Sequence, residues 1–113
     1  MLPALNEISS TQAKPTEYTK EECQQLMDYA ATYPNVYVQY HASDMVLHVD
    51  SNAAYLVLWQ ARSRIAGYFQ LNDHPQCVEH LAVNGAILIE CKALWYMVAS
   101  AAECETAGVF HNI

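Results

Sequence analysis

The fold of this chain is decided by the stretch MVLHVDSNAAYLVLWQARSRIAGY, residues 45–68, which predicts a strand, a connection and a second strand. Successive side chains of an extended segment point to opposite faces, so His48, Asp50 and Asn52 are expected to share one side. A carboxylate is then held at the end of a buried strand. Such a position suits a metal or hydrolytic site, and it equally suits a strand that simply emerges into solvent.

Working outward from this stretch, the residue patterns predict helices on both sides of a sheet-forming region. The run Thr19-Lys20-Glu21-Glu22 has the form of a capping box and predicts a helix that Pro34 ends. Residues 5–13 form either a short helix or nothing regular. The other predicted elements are strands at 36–40, 45–50, 64–71 and 86–91, a loop at 72–84, and a helix at 96–111.

These elements predict an α+β fold, with a helix followed by three to four strands and a C-terminal helix. Residues 86–91 are apolar on both faces, which predicts an interior strand. The 113 residues, of which 53% are hydrophobic, suit one small domain with a modest core.

Charge and composition exclude several classes of function. Twelve acidic and five basic residues give a formal net charge of −7, which disfavours autonomous binding to a phosphate backbone. The N-terminus lacks the pattern of a signal peptide, and charges interrupt every long apolar run, so an intracellular chain without a membrane span is expected. Four cysteines without a CxxC pair predict reduced thiols.

Glu105 is the unusual residue of the predicted C-terminal helix. At 100° per residue, an apolar stripe formed by Val98, Ala101, Ala102 and Val109 has Glu105 in its middle, whereas Glu103 points away. A carboxylate that faces a sheet is costly unless it is paired or binds a cation. Two interpretations stay open: an inward-facing acid, or an acid at the edge of the stripe that reaches water.

Two further groups of residues carry donor atoms. His74, Cys77 and His80 offer the imidazole and thiolate ligands that zinc prefers, although they supply only three ligands in one short loop, and an ordinary loop is the alternative. Asp50 and Asn52 are equally typical of a strand end with an Asx turn.

The chain resembles a known family over nearly its whole length. The runs SNAAYLVLWQARSRIAGYFQLND, NGAILIECKAL and ASAAECETAGVFHN are similar to the RNase H domain that ends the polyprotein of copia-type retrotransposons. The segment from Ala4 to Ser43 resembles the connection between reverse transcriptase and that domain. The resemblance implies a connection-like segment at residues 1–40, with one helix, and the N-terminal half of an RNase H-like domain at residues 41–113. In that half-domain an antiparallel sheet of three to four strands, three of them in succession, is followed by a C-terminal helix packed on it.

This resemblance implies an ancestral reaction, in which two Mg²⁺ ions held by carboxylates activate water against the RNA strand of an RNA·DNA hybrid. The catalytic helix acid of the family corresponds to Glu105, and its companion acid to Glu103. The first-strand aspartate corresponds to Asn52, an amide that coordinates metal more weakly. Asp50 lies two residues earlier, about 6.5 Å along the strand.

The chain ends where the first long helix of the family would end, so at most two of the family's acidic ligands are expected here. The expectation is a truncated, retrotransposon-derived RNase H-like fragment that is inactive by itself, with only weak Mg²⁺ binding and little autonomous affinity for nucleic acid. One alternative is residual hybrid cleavage with Asp50, Glu105 and Glu103 as metal ligands. The other is a non-catalytic interaction module whose open sheet edges pair with a second copy or a polyprotein partner.

Overall fold

A computed structural model describes residues 1–74 and 83–113 and shows an α+β chain. The chain divides into two compact units, Met1–Tyr37 and Val38–Ile113. None of the helices in the described ranges is both long and apolar enough to span a membrane. The helices and strands are α1 (Leu2–Ser10), α2 (Glu17–Thr32), β1 (Val46–Leu58), β2 (Arg62–Asn72), β3 (Ala86–Ala93) and α3 (Ala101–Asn112).

The first unit consists of α1 and α2. The N-cap of helix α2 is Thr16, three residues earlier than the predicted N-cap Thr19. The Thr16 hydroxyl accepts a hydrogen bond from the backbone N–H of Thr19 (3.2 Å), and the Thr19 hydroxyl accepts one from the N–H of Thr16 (3.3 Å). The prediction that Thr19 and Glu22 form the box was therefore wrong, because the Thr19 side chain is already engaged as the reciprocal partner of Thr16.

The second unit is built on a three-stranded antiparallel sheet in the order β1-β2-β3. The register places Asp50 opposite Tyr68 and Tyr68 opposite Ile89, so β2 lies in the centre. The predicted α+β class with an antiparallel sheet and a C-terminal helix is confirmed. The interior position predicted for residues 86–91 is wrong: β3 ends the strand order of the described sheet, and its apolar side chains on both faces reach solvent.

The predicted strand at 36–40 is also wrong. These residues are exposed and form no strand, although they alternate in the manner of one. The backbone of His41, which follows them, is hydrogen-bonded to the side chain of Asn84. Tyr40 donates its hydroxyl hydrogen to the carbonyl of Ala86 (2.9 Å). Side-chain hydrogen bonds therefore hold Tyr40 and His41, and the high β-propensity of residues 36–40 did not suffice to form a strand ladder.

The β1–β2 hairpin contains residues with left-handed backbone conformation that are not glycine. Leu56, Gln60 and Ala61 have φ values of 54°, 61° and 53°. Gln60 and Ala61 belong to the short 3-10 helix Trp59–Ala61 that connects β1 to β2, and an L-residue pays about 1–2 kcal/mol for a left-handed conformation. Gln60 and Ala61 therefore impose strain on the turn.

Replacing Ala61 by glycine is expected to raise the free energy of unfolding by about 0.5–1 kcal/mol, because relief of the strain exceeds the extra chain entropy of glycine. Urea unfolding measures the change. Ala54→Gly is the matched control, since Ala54 lies in β1 outside the set of residues with positive φ, and it is expected to destabilise the protein. Equal losses for both variants would show that the turn is not strained.

Helix α3 begins at Ala101 and packs on one face of the sheet. The hydroxyl of Ser100 caps it by accepting a hydrogen bond from the N–H of Glu103 (3.1 Å). Its buried residues are Cys104, Gly108 and Asn112, spaced by four, which defines the inward face. Cys104 joins Ile65, Leu94 and Val98 in the hydrophobic core.

Candidate functional site

The position of α3 distinguishes the two faces of the sheet. A Cβ added at Gly108 would lie 3.2 Å from the Ser51 hydroxyl, and the side-chain amide of Asn112 donates to the same hydroxyl (2.9 Å). Ala53 is packed against the core that includes Cys104. Ser51 and Ala53 therefore lie on the face that α3 covers.

Asp50 and Asn52 lie on the opposite face, because side chains alternate along β1. Both residues are exposed. The Asp50 carboxylate accepts a hydrogen bond from the Gln70 amide (3.1 Å), and the carbonyl oxygen of that amide accepts one from the backbone N–H of Asn84 (2.6 Å). Asp50 thus belongs to a hydrogen-bond network on the face away from α3.

Glu105 does not face the sheet. Its side chain is exposed, one position beyond the buried Cys104. The predicted stripe assumed a helix from residue 96, whereas α3 begins at Ala101 and Val98 precedes it. The inward-facing position is therefore wrong, and the alternative in which Glu105 reaches water describes the structure.

Glu103 has a structural role at the start of α3. Its carboxylate accepts a hydrogen bond from the backbone N–H of Ala99 (2.6 Å), while its own N–H donates to Ser100. This carboxylate satisfies a backbone donor just before the helix and lies near the positive end of the helix dipole. Glu103 is exposed, and nothing in this geometry requires a metal ion.

The arrangement does not fit a pair of Mg²⁺ ions. Two cations about 3.5 to 4 Å apart need several carboxylates that converge on them. Asp50 and Asn52 lie on one face of the sheet, while Glu105 and Glu103 belong to the helix packed on the other face. Residues 1–74 and 83–113 contain no group of three or more His, Cys, Asp or Glu side chains that could hold a metal. The ligand set implied by the resemblance is thus not brought together.

The zinc-type donors of the 72–84 loop are only partly described. Cys77 and His80 lie outside the described residues. His74 is exposed, and its backbone N–H donates to the Asp44 carboxylate (3.3 Å). The predicted three-ligand group therefore stays a prediction.

Asn84 is the residue whose importance sequence reasoning underestimated. Its side-chain amide donates to the carbonyls of His41 (2.9 Å) and Leu71 (2.7 Å). Its side-chain oxygen accepts from the N–H groups of His41 (2.8 Å) and Gly85 (2.8 Å). The Asn84-Gly85 pair indicated a turn. It did not indicate that the buried side-chain amide of Asn84 would be hydrogen-bonded to three segments of the chain.

No protein-family model, curated protein or solved structure matches this chain. The assignment of a function therefore depends on the residues of the chain and on the geometry described above.

Proposed function

We propose that this protein is a non-catalytic interaction module that self-associates through an open edge of its sheet, and that its scaffold is an RNase H-like half-domain of copia-type retrotransposon ancestry. The observation that carries the proposal is the exposure of β3. Ile87, Leu88 and Ile89 are consecutive, and their exposed fractions are 54%, 49% and 43%. An apolar edge strand is a ready template for pairing with another strand.

The charges of β3 do little to protect this edge. Proteins often keep edge strands apart with charged side chains, especially lysine. Here the Lys92 ammonium lies 2.7 Å from the Glu90 carboxylate of the same strand, so the pair presents almost no net charge. The local repulsion between two such edges is therefore weak, although the chain as a whole has a net charge of −7.

The order of elements supports the proposed ancestry. The resemblance implies three antiparallel strands followed by a helix packed on the sheet, and the second unit has β1, β2, β3 and α3 in that order. The separation of Asp50 and Glu105 onto different sides of the sheet supports the non-catalytic part of the proposal, because two-metal hydrolysis needs converging carboxylates.

Sedimentation velocity over a concentration series is expected to show a dimer at micromolar concentration, with a sedimentation coefficient that falls on dilution. A monomer throughout the series would overturn the proposed self-association.

The same preparation tests the non-catalytic part. A fluorescently labelled RNA·DNA hybrid incubated with Mg²⁺ is expected to stay intact, and Glu105→Gln is expected to behave like the wild-type chain. Mg²⁺-dependent cleavage that Glu105→Gln abolishes would overturn this part of the proposal. It would leave the self-association result standing.

A further inference from the structure

The backbone of β3 shows which groups point to its open edge. The N–H of Leu94 donates to the carbonyl of Ser63 (2.8 Å), which continues the β2–β3 register by one pair and turns Leu94 toward β2. Backbone groups of successive residues in a strand point alternately to the two sides. The N–H and C=O groups of Ile89, Cys91 and Ala93 therefore point away from β2, to the free side of β3 in the described sheet.

We propose that a second copy of this chain pairs antiparallel with β3 about a two-fold axis at Cys91. This inference rests on the proposed self-association and names its interface. Cys91 then lies opposite Cys91 of the second copy, and Ile89 lies opposite Ala93 of the second copy. These pairs use the backbone groups that point outward, and each pair exchanges two hydrogen bonds. The two sheets join into one continuous antiparallel sheet.

Charge complementarity selects this register. Directly opposed side chains of an antiparallel pair point to the same face. A two-fold axis normal to the sheet therefore passes midway between a residue and the same residue of the second copy. An axis at Cys91 places Glu90 opposite Lys92 of the second copy, twice by symmetry. An axis at Glu90 or at Lys92 opposes like charges, which is destabilising. An axis at Ile89 places Leu88 opposite Glu90 of the second copy, which pairs an apolar side chain with a carboxylate.

The opposed charges lie at closely spaced positions. Glu90 and Lys92 alternate with the outward-pointing residues, so their cross-strand pairs are of the non-hydrogen-bonded type, in which the Cα atoms are about 4.5 Å apart. Within one copy the Glu90 side chain is 35% exposed and the Lys92 side chain is 44% exposed. The Lys92 Nζ lies 2.7 Å from the Glu90 Oε2. Dimerisation adds the second pair of charges and forms a network of four.

Charge reversal tests the register. Glu90→Lys and Lys92→Glu are each expected to weaken the dimer on the order of tenfold, because like charges then face each other across the axis. The double variant Glu90→Lys/Lys92→Glu is expected to restore the wild-type dissociation constant, measured by sedimentation, because opposite charges again face each other. Thermal unfolding followed by circular dichroism confirms that each variant is folded.

Thiol cross-linking tests the position of the axis. The Cα atoms of the two Cys91 residues are expected to lie about 5.5 Å apart, a separation that a disulfide spans. In the variant Cys23→Ser/Cys77→Ser, diamide is expected to produce a disulfide-linked dimer, taking two electrons and two protons from the two thiols. Cys104 is fully buried, and the added change Cys91→Ser is expected to abolish the product.

The outcomes separate this interface from self-association in general. A wild-type chain that sediments as a monomer overturns both proposals. A dimer that tolerates both single charge reversals and yields no cross-link through Cys91 overturns the β3 interface alone and leaves self-association in place. Loss of the dimer in both single variants, with recovery in the double variant, supports the register.

Discussion

Replacing Gly67 by alanine is expected to lower the free energy of unfolding by about 2–3 kcal/mol, because α3 approaches β2 too closely to admit a methyl group. A Cβ at this position would lie 2.6 Å from Oδ1 of Asn112, 2.8 Å from its Cγ, and 2.9 Å from Cε2 of Phe69. The Asn112 side chain has little freedom to move, since it donates to the Ser51 hydroxyl and to the carbonyl of Ala66, both at 2.9 Å.

A double-mutant cycle identifies the cause of this loss. Urea unfolding of Gly67→Ala, Asn112→Ala and the double variant is expected to give a coupling energy of about 1 kcal/mol or more, because removal of the Asn112 amide relieves the clash. Gly108→Ala is the matched control, since its added Cβ would lie 3.2 Å from the nearest atom, and helix propensity partly offsets that contact. Additive losses for Gly67 and Asn112 would contradict the close-approach explanation.

The strands were predictable where residues of high β-propensity are concentrated. The second strand, rich in Ile, Tyr and Phe, was predicted at 64–71 and runs from Arg62 to Asn72. The first strand was predicted to end near residue 50, yet β1 continues to Leu58. The run AAYLVL is apolar at every position, so alternation does not mark where this strand ends. The register between β1 and β2 is irregular between Ala54 and Leu58. Leu56, in this irregular part, has a left-handed conformation, and β1 continues through the irregularity to Leu58.

The start of α3 was signalled in the sequence by Ser100 and Glu103, which have the spacing of a capping box. In the structure the Glu103 carboxylate accepts from the N–H of Ala99 and not from that of Ser100. The apolar pattern extending back to Tyr96 obscured this signal, because Val98 is a core residue that does not belong to the helix. In the helix that begins at Ala101, Cys104, Gly108 and Asn112 form the inward stripe, which turns Glu105 outward. One misplaced boundary therefore reversed the interpretation of the candidate acid.

The location of the candidate site depended on a fact that local pattern does not contain. Alternation alone predicts that Asp50 and Asn52 share a face, but it does not tell which face α3 covers. The close contact between Gly67 and Asn112, which are 45 positions apart in the chain, decides that question.

Replacing Asn84 by alanine is expected to lower the free energy of unfolding by about 2–4 kcal/mol, because it removes four hydrogen bonds and leaves backbone groups without partners. The Asn84 amide holds the N–H and the C=O of His41 at once, as a strand partner would, and also joins the carbonyl of Leu71. The neighbouring segment has no room to adjust, since a Cβ at Gly85 would lie 2.7 Å from the carbonyl oxygen of Gln39.

Asn84→Asp separates the donor function of this amide from its shape. The introduced carboxyl group keeps an acceptor for the N–H groups of His41 and Gly85, but its second oxygen faces the carbonyls of His41 and Leu71. Burial beside these carbonyls raises the pKa of the introduced carboxyl group in the folded state above its unfolded value of about 3.9. The variant is therefore expected to be most stable below that pH and to lose stability as the pH rises through the folded-state pKa. Urea unfolding of the variant and the wild-type chain between pH 3 and pH 7 measures the difference, and equal stability of the two chains across this range would show that the Asn84 donor is not essential.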